Sequence, residues 1–128
     1  MKRGIELDMV VSDAMKTAKT FGKIFNLKIL EVQSTLKDND TVLVDMEGMH
    51  IHFLSKNEDV GFVVPVSAPE TMWINVVVED IKKTRDSALD MGLKLAIPIT
   101  KEPYEGLYYM LLKDEDNYQW MVYQEDNN

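Results

Sequence analysis

The sequence predicts an α+β fold made of two copies of one module, each a strand, a helix and then further short strands. Three features carry that prediction. Val11-Ser12-Asp13 is echoed by Val78-Glu79-Asp80, and Phe25-Asn26-Leu27-Lys28-Ile29 returns as Met91-Gly92-Leu93-Lys94-Leu95, 66 or 67 residues further on. A period-two alternation of residue types leads up to each aspartate, as in a half-buried strand. Each copy then closes on two short apolar runs separated by turn residues, the pattern of a hairpin. Self-similarity at a fixed spacing marks a duplicated unit, and the groove between such copies is a natural place for a ligand.

In the first copy Ile5, Leu7, Met9 and Val11 alternate with Glu6, Asp8 and Val10. Asp13 is placed to cap the following helix, its carboxylate accepting orphan backbone amides. Ala14, Ala18, Phe21, Ile24 and Phe25 recur at three and four residues and give that helix one apolar stripe. Leu27 to Val32 reads as a strand. Thr41 to Met46 and Met49 to Leu54 form a hairpin about Glu47-Gly48, where glycine permits a positive φ. Residues 55–71 are polar, with Pro65 and Pro69, and join the copies; Val60 to Val66 is apolar enough for a short strand or a buried loop lip.

The second copy starts with a strand from Trp73 to Val78. Asp80 caps a helix from Ile81 to Met91, which Gly92 ends in the left-handed conformation. Leu93 to Ile97 is the next strand, and Pro98 to Gly106 reads as a loop. Leu107 to Leu112 and Gln119 to Gln124 make a second hairpin, and the tail from Glu125 is polar. The expected organisation is one domain over residues 1–128, with modules 4–54 and 72–124 and a linker at 55–71.

Composition narrows the function classes. The 128 residues are 45% apolar and 28% charged, with a formal net charge of −8. Nucleic-acid binding needs a basic stripe, which this balance opposes, and a cationic ligand suits it better than an anionic one. No cysteine is present, so disulfides and thiolate chemistry are excluded. With neither a secretory leader nor a membrane-length apolar run, the expectation is a cytoplasmic protein without membrane or nucleic-acid partners. The acidic turn Asp114-Glu115-Asp116 lacks the ligand spacing of a calcium loop, and Lys16, Lys19 and Lys23 mark the solvated face of the first helix. No phosphate-cradling glycine loop or serine-nucleophile elbow is found.

If Leu7, Met9, Val11 and Ile74, Val76, Val78 face the helices, the opposite faces carry Glu6, Asp8, Val10 and Trp73, Asn75, Val77. Polar residues there are unexpected for a simple core and point to a ligand cavity. His50 and His52 lie two residues apart on one strand and point the same way, a geometry suited to a base or a metal ligand and equally to plain hydrogen-bonded histidines.

Taken together, Asp13 through Ala18, Phe21, Phe25-Asn26, Val78-Glu79-Asp80-Ile81, Met91-Gly92 and the Asp114 to Trp120 hairpin resemble the vicinal-oxygen-chelate superfamily. That family includes glyoxalase I, extradiol dioxygenases and bleomycin-resistance proteins. The resemblance covers nearly the whole chain and implies two βαβββ modules forming a curved mixed sheet with a pocket in its cup, usually as a homodimer. It also implies a divalent metal held by strand residues, in slots that fall here on Glu6, His52, Trp73 and Met121. Glu6 takes its slot if Leu7 faces the helix, as the alternation favours. Trp73 cannot ligate such an ion, and Met121 is too soft for the metals concerned. Two good ligands remain where three or four are wanted, so no metal and no other cofactor is expected.

Trp73, Tyr109, Met121 and Tyr123 instead offer aromatic and polarizable surface for a flat or cationic organic molecule. Asp8, His50, Asn75 and Gln119 offer orienting polar contacts, and His52 with Glu6 is the candidate catalytic pair. Tyr104, Tyr108 and Tyr109 flank Gly106 as a lid or a dimer contact. Binding or sequestration of a small organic molecule is therefore expected, with an isomerase, lyase or dioxygenase-like enzyme as one alternative. A dimeric scaffold, its cup filled by its own side chains, is the other.

Overall fold

The computed structural model describes residues 3–67, 72–103 and 106–125, so Pro69, Tyr104 and the tail beyond Glu125 lie outside the described residues. The chain divides into two compact units, Met1–Val64 and Pro65–Asn128. In the first, β1 (Leu7–Val11), α1 (Ala14–Gly22), β2 (Leu27–Gln33), β3 (Thr41–Met46) and β4 (Met49–Ser55) give a four-stranded sheet ordered β1-β4-β3-β2. The second repeats this order. There β5 (Ile74–Val77), α2 (Ile81–Asp90), β6 (Lys94–Glu102), β7 (Leu107–Lys113) and β8 (Gln119–Glu125) give a sheet ordered β5-β8-β7-β6. Only the first strand of each unit is parallel to its neighbour. The two expected βαβββ modules are present, each a mixed sheet. Among the described residues no helix is long and apolar enough to cross a membrane.

The same capping chemistry starts both helices. Asp13 accepts the Lys16 amide at 3.1 Å and Asp80 accepts the Lys83 amide at 3.0 Å. The first helical amide of each unit reaches the last strand, Ala14 N–H donating to Ser55 Oγ at 2.9 Å and Ile81 N–H to Gln124 Oε1 at 2.7 Å. These side-chain acceptors satisfy donors that have no partner within the helix and tie it to its sheet. Asp13→Ala and Asp80→Ala should therefore each cost about 1 kcal/mol of unfolding free energy, measured by urea denaturation. A loss from only one of them would show that the two caps are not equivalent.

The helix-side core of the first unit includes Met9, Val11, Ala14, Ala18, Phe21, Val42, Val44, Ile51 and Phe53. Phe21 stacks on both Phe25 and Phe53, at 6.1 and 6.2 Å between ring centroids. In the second unit Val76, Ile81, Ala88, Met110, Leu112, Trp120 and Val122 play this part. The β3–β4 turn has positive φ at both Glu47 (52°) and Gly48 (91°), as a two-residue hairpin turn matching strand twist requires.

Several local expectations change. The first helix ends at Gly22 rather than Phe25, although Phe25 still donates its amide to the Phe21 carbonyl and stays buried. The expected loop after Ile97 is mostly strand, because β6 runs through Pro98 to Glu102. Proline is tolerated there because β6 is an edge strand whose pairing with β7 shifts register between Leu95 and Ile97 and again before Thr100. Tyr108 and Tyr109 consequently belong to β7 rather than to a lid, with the Lys101 ammonium 5.9 Å from the Tyr108 ring centroid. Val60 to Val66 is neither strand nor buried lip. Gly61, at φ 80°, folds a short 3-10 turn back so that Phe62 bridges Asn57, leaving Val63 and Val66 exposed.

Candidate functional site

Register places the candidate residues on the sheet faces turned away from the helices. In the first unit Asp8 lies opposite His52 on β4, while β3 sets Leu43 against His52 and Asp45 against His50. Glu6, just before β1, completes a polar cluster. His52 Nδ1 is 3.3 Å from Glu6 Oε2 and 3.5 Å from Asp8 Oδ1. His50 Nδ1 is 4.0 Å from the other Glu6 oxygen, and His50 Nε2 is 3.8 Å from Asp45 Oδ2. The Glu6 side chain is only 14% exposed, and its Oε1 is a buried atom with no hydrogen-bond partner among the described residues. A buried acceptor left unmatched is costly, and more so when it carries charge. Glu6 and His50 also line an open cavity of about 340 Å³, together with Arg3, Gly4, Ile5, Gly48 and Met49.

In the second unit the parallel pairing of β5 and β8 sets Asn75 beside Met121 and Val77 beside Tyr123. The β7–β8 ladder adds Tyr109 opposite Tyr123, Leu111 opposite Met121 and Lys113 opposite Gln119. Trp73 continues the alternation one residue before β5; its indole N–H donates to Asn75 Oδ1 at 3.1 Å, and the residue is 48% exposed. The Tyr109 and Tyr123 rings are 6.4 Å apart and tilted by 53°. Trp73, Asn75, Tyr109, Gln119, Met121 and Tyr123 thus share one face of their sheet, and Glu6, Asp8, His50 and His52 share the corresponding face of theirs.

The equivalence of the two faces is visible in their pairing. Asp8 beside His52 in the first unit corresponds to Asn75 beside Met121 in the second. A carboxylate and an imidazole are replaced by an amide and a thioether. Sequence reasoning missed Asp45, although the hairpin about Glu47-Gly48 already placed it opposite His50. It also missed the Gly48-Met49 wall of the cavity, because turn residues carry no side-chain pattern that marks a pocket.

Two units of this topology, each offering a helix-free sheet face, define a paired-βαβββ protein. The family model for the Glyoxalase/Bleomycin resistance protein/Dioxygenase superfamily matches residues 5–122, and the chain belongs to that superfamily. Solved structures share the fold at low identity. TioX from Micromonospora sp. ML1 is 16% identical over 94% of both chains, with a TM-score of 0.69. The hypothetical protein SA1046 from S. aureus is 14% identical over 97% of this chain and 94% of its own, with a TM-score of 0.74. The fosfomycin resistance protein FosX from Listeria monocytogenes, complexed with Mn(II) and sulfate ion, is 14% identical over 98% of this chain and 92% of its own, again at 0.74. No curated protein matches the chain.

The superfamily's divalent metal does not fit the donors present. Glu6 and His52 are close enough to act together, but the equivalent positions of the second unit hold an indole and a thioether. Among the described residues no group of three or more histidine, aspartate or glutamate side chains is arranged to hold a metal ion.

Proposed function

We propose that this protein binds or sequesters a small organic molecule carrying a protonated nitrogen, without a metal, and does so as a cytoplasmic homodimer. The supporting observation is the Glu6 carboxylate. Its Oε1 has no donor among the described residues, and Glu6 forms part of the wall of a cavity of about 340 Å³, the size range of small-ligand sites. A ligand ammonium that displaced His50 slightly would give Oε1 the charge-assisted hydrogen bond it lacks, the strongest kind available to a carboxylate. The −8 net charge favours the approach of a cation. Trp73, Tyr109 and Tyr123 supply exposed or half-exposed aromatic surface in the second unit, suited to cation–π or stacking contact.

The test is calorimetric titration with matched pairs of aromatic amines and their neutral isosteres. Amines should bind more tightly, and Glu6→Gln should weaken them by roughly tenfold or more, the worth of a hydrogen bond to a charged group. Equal binding of amine and isostere, or indifference to Glu6→Gln, would sink this reading.

A second reading is favoured by two distances at His52. Glu6 Oε2 at 3.3 Å from His52 Nδ1, with Asp8 Oδ1 at 3.5 Å, is an arrangement in which carboxylates orient an imidazole. His52 Nε2 would then act as a general base in an isomerase or lyase reaction. Turnover lost in His52→Gln while ligand affinity persists would favour the enzyme.

A further inference from the structure

Strand β2 is an edge strand of the first sheet and is exposed along almost its whole length. Ile29, Leu30 and Val32 are 39%, 40% and 41% exposed, unusual for three large apolar residues within four positions. A long apolar edge is a template for pairing with another strand unless something blunts it. We propose that β2 pairs antiparallel with β2 of a second copy, about a two-fold axis passing between Ile29 and Leu30, with Lys28 of each copy facing Glu31 of the other. This names a surface for the homodimer suggested above.

The argument rests on strand phase. In an antiparallel ladder successive residues aim their backbone groups alternately toward one neighbour and the other. An uninterrupted strand could therefore pair with itself only in registers that match residues an even number apart. Lys28 and Glu31 would not face each other. The bulge at Leu30 changes this, because pairing with β3 jumps from Ile29–Val44 to Glu31–Leu43. Lys28 and Glu31 lie opposite Asp45 and Leu43, which are two residues apart on β3 and so share one backbone orientation. Leu27, Ile29 and Val32 lie opposite Met46, Val44 and Val42 and share the other. In the proposed register Lys28 meets Glu31 and Leu27 meets Val32, so like meets like. A bulge ordinarily blunts an edge; here it sets the phase that self-pairing needs.

The side chains agree with that register. Lys28 and Glu31 fall on the sheet face away from α1, where opposite charges meet twice by symmetry. Glu31 accepts a hydrogen bond from Gln33 Nε2 at 2.7 Å on the same strand, while Lys28 has no ion-pair partner among the described residues. Leu27, Ile29 and Val32 lie on the α1 side, so pairing would continue the apolar layer beneath the helix from one copy to the other. An isologous contact of this kind closes on itself and leaves no β2 edge open for further growth.

Sedimentation velocity over a concentration series tests the proposal, with circular dichroism confirming that each variant is folded. The wild type should be a dimer. Lys28→Glu and Glu31→Lys, each placing like charges opposite one another twice, should raise the dissociation constant at least about tenfold, and K28E/E31K together should restore it. Hydrogen exchange across β2 should quicken on dilution of the wild type and already be fast in the single variants. A monomer at every concentration would overturn both the dimer and this surface. A dimer indifferent to the single reversals would overturn this surface alone, as would failure of the double variant to recover. The amine titration reads ligand binding separately from all three outcomes.

Discussion

Trp120→Ala should lower the unfolding free energy by about 4 kcal/mol, the range for removing a fully buried large aromatic. Trp120 is the largest wholly buried side chain, on β8 between β5 and β7. Its indole N–H also donates to Asp114 Oδ2 at 3.0 Å, which pins the β7–β8 turn to the core. Alanine removes the packing and that hydrogen bond together. Trp120→Phe keeps much of the volume but not the donor, and should lose about 1–2 kcal/mol. Urea unfolding followed by far-ultraviolet circular dichroism is the appropriate measurement, because one of only two tryptophans is being removed. A loss below about 1 kcal/mol for alanine would mean that the second unit does not rest on this side chain.

The second large effect is a pH dependence centred on the same turn. Burial pushes the Asp114 carboxyl up to about 6, outweighing the Trp120 indole and the Tyr118 and Asp116 amides, whose hydrogen bonds work to lower it; the Asp116 charge adds to the rise. Its ordinary value is 3.8. The folded state therefore holds this proton more tightly than the unfolded chain does. Asp114 contributes most to stability below pH 3.8, and that contribution fades as pH rises through about 6. The span is about 3 kcal/mol. The sign is opposite to that of Asp40. There burial works to raise the pKa, but the Thr35, Leu36 and Lys37 amides prevail and hold it below the usual range, so its contribution is lost as pH falls. Stability measured by urea unfolding at pH 4.5, 5.5 and 7 should show the Asp114 component in the wild type and lack it in Asp114→Asn. An identical pH profile in the two proteins would refute the assignment.

Much of the architecture was legible because it depends on local chemistry. Asp13 and Asp80 announce their helices through side chains that can reach amides three residues on. Glu47-Gly48 announces its hairpin because few residue pairs accept positive φ. The alternation at Leu7 to Val11 and at Ile74 to Val77 says which side of each strand meets the helix, and the buried residues agree. Pro98 misled because the penalty for proline in a strand depends on whether that strand is central or at an edge, and edge position is a property of the whole sheet. Ser55 and Gln124 were invisible as helix anchors because each acts on an amide more than forty residues away.

The candidate site divides along the same line. Sequence alone determined which residue types occupy equivalent places in the two copies: carboxylate and imidazole in the first, indole and thioether in the second. That exchange of donors for aromatic and polarizable groups is a fact of composition and needs no coordinates. Only the tertiary structure decided that Glu6 sets one carboxylate oxygen 3.3 Å from His52 and the other 4.0 Å from His50, and that Gly48 and Met49 line a cavity beside it. The phase of the β2 edge likewise came from its pairing with β3. The duplication follows from local preferences repeated along the chain. Unmatched polar atoms, cavities and edge phase arise where distant strands meet, and no spacing within one strand records them.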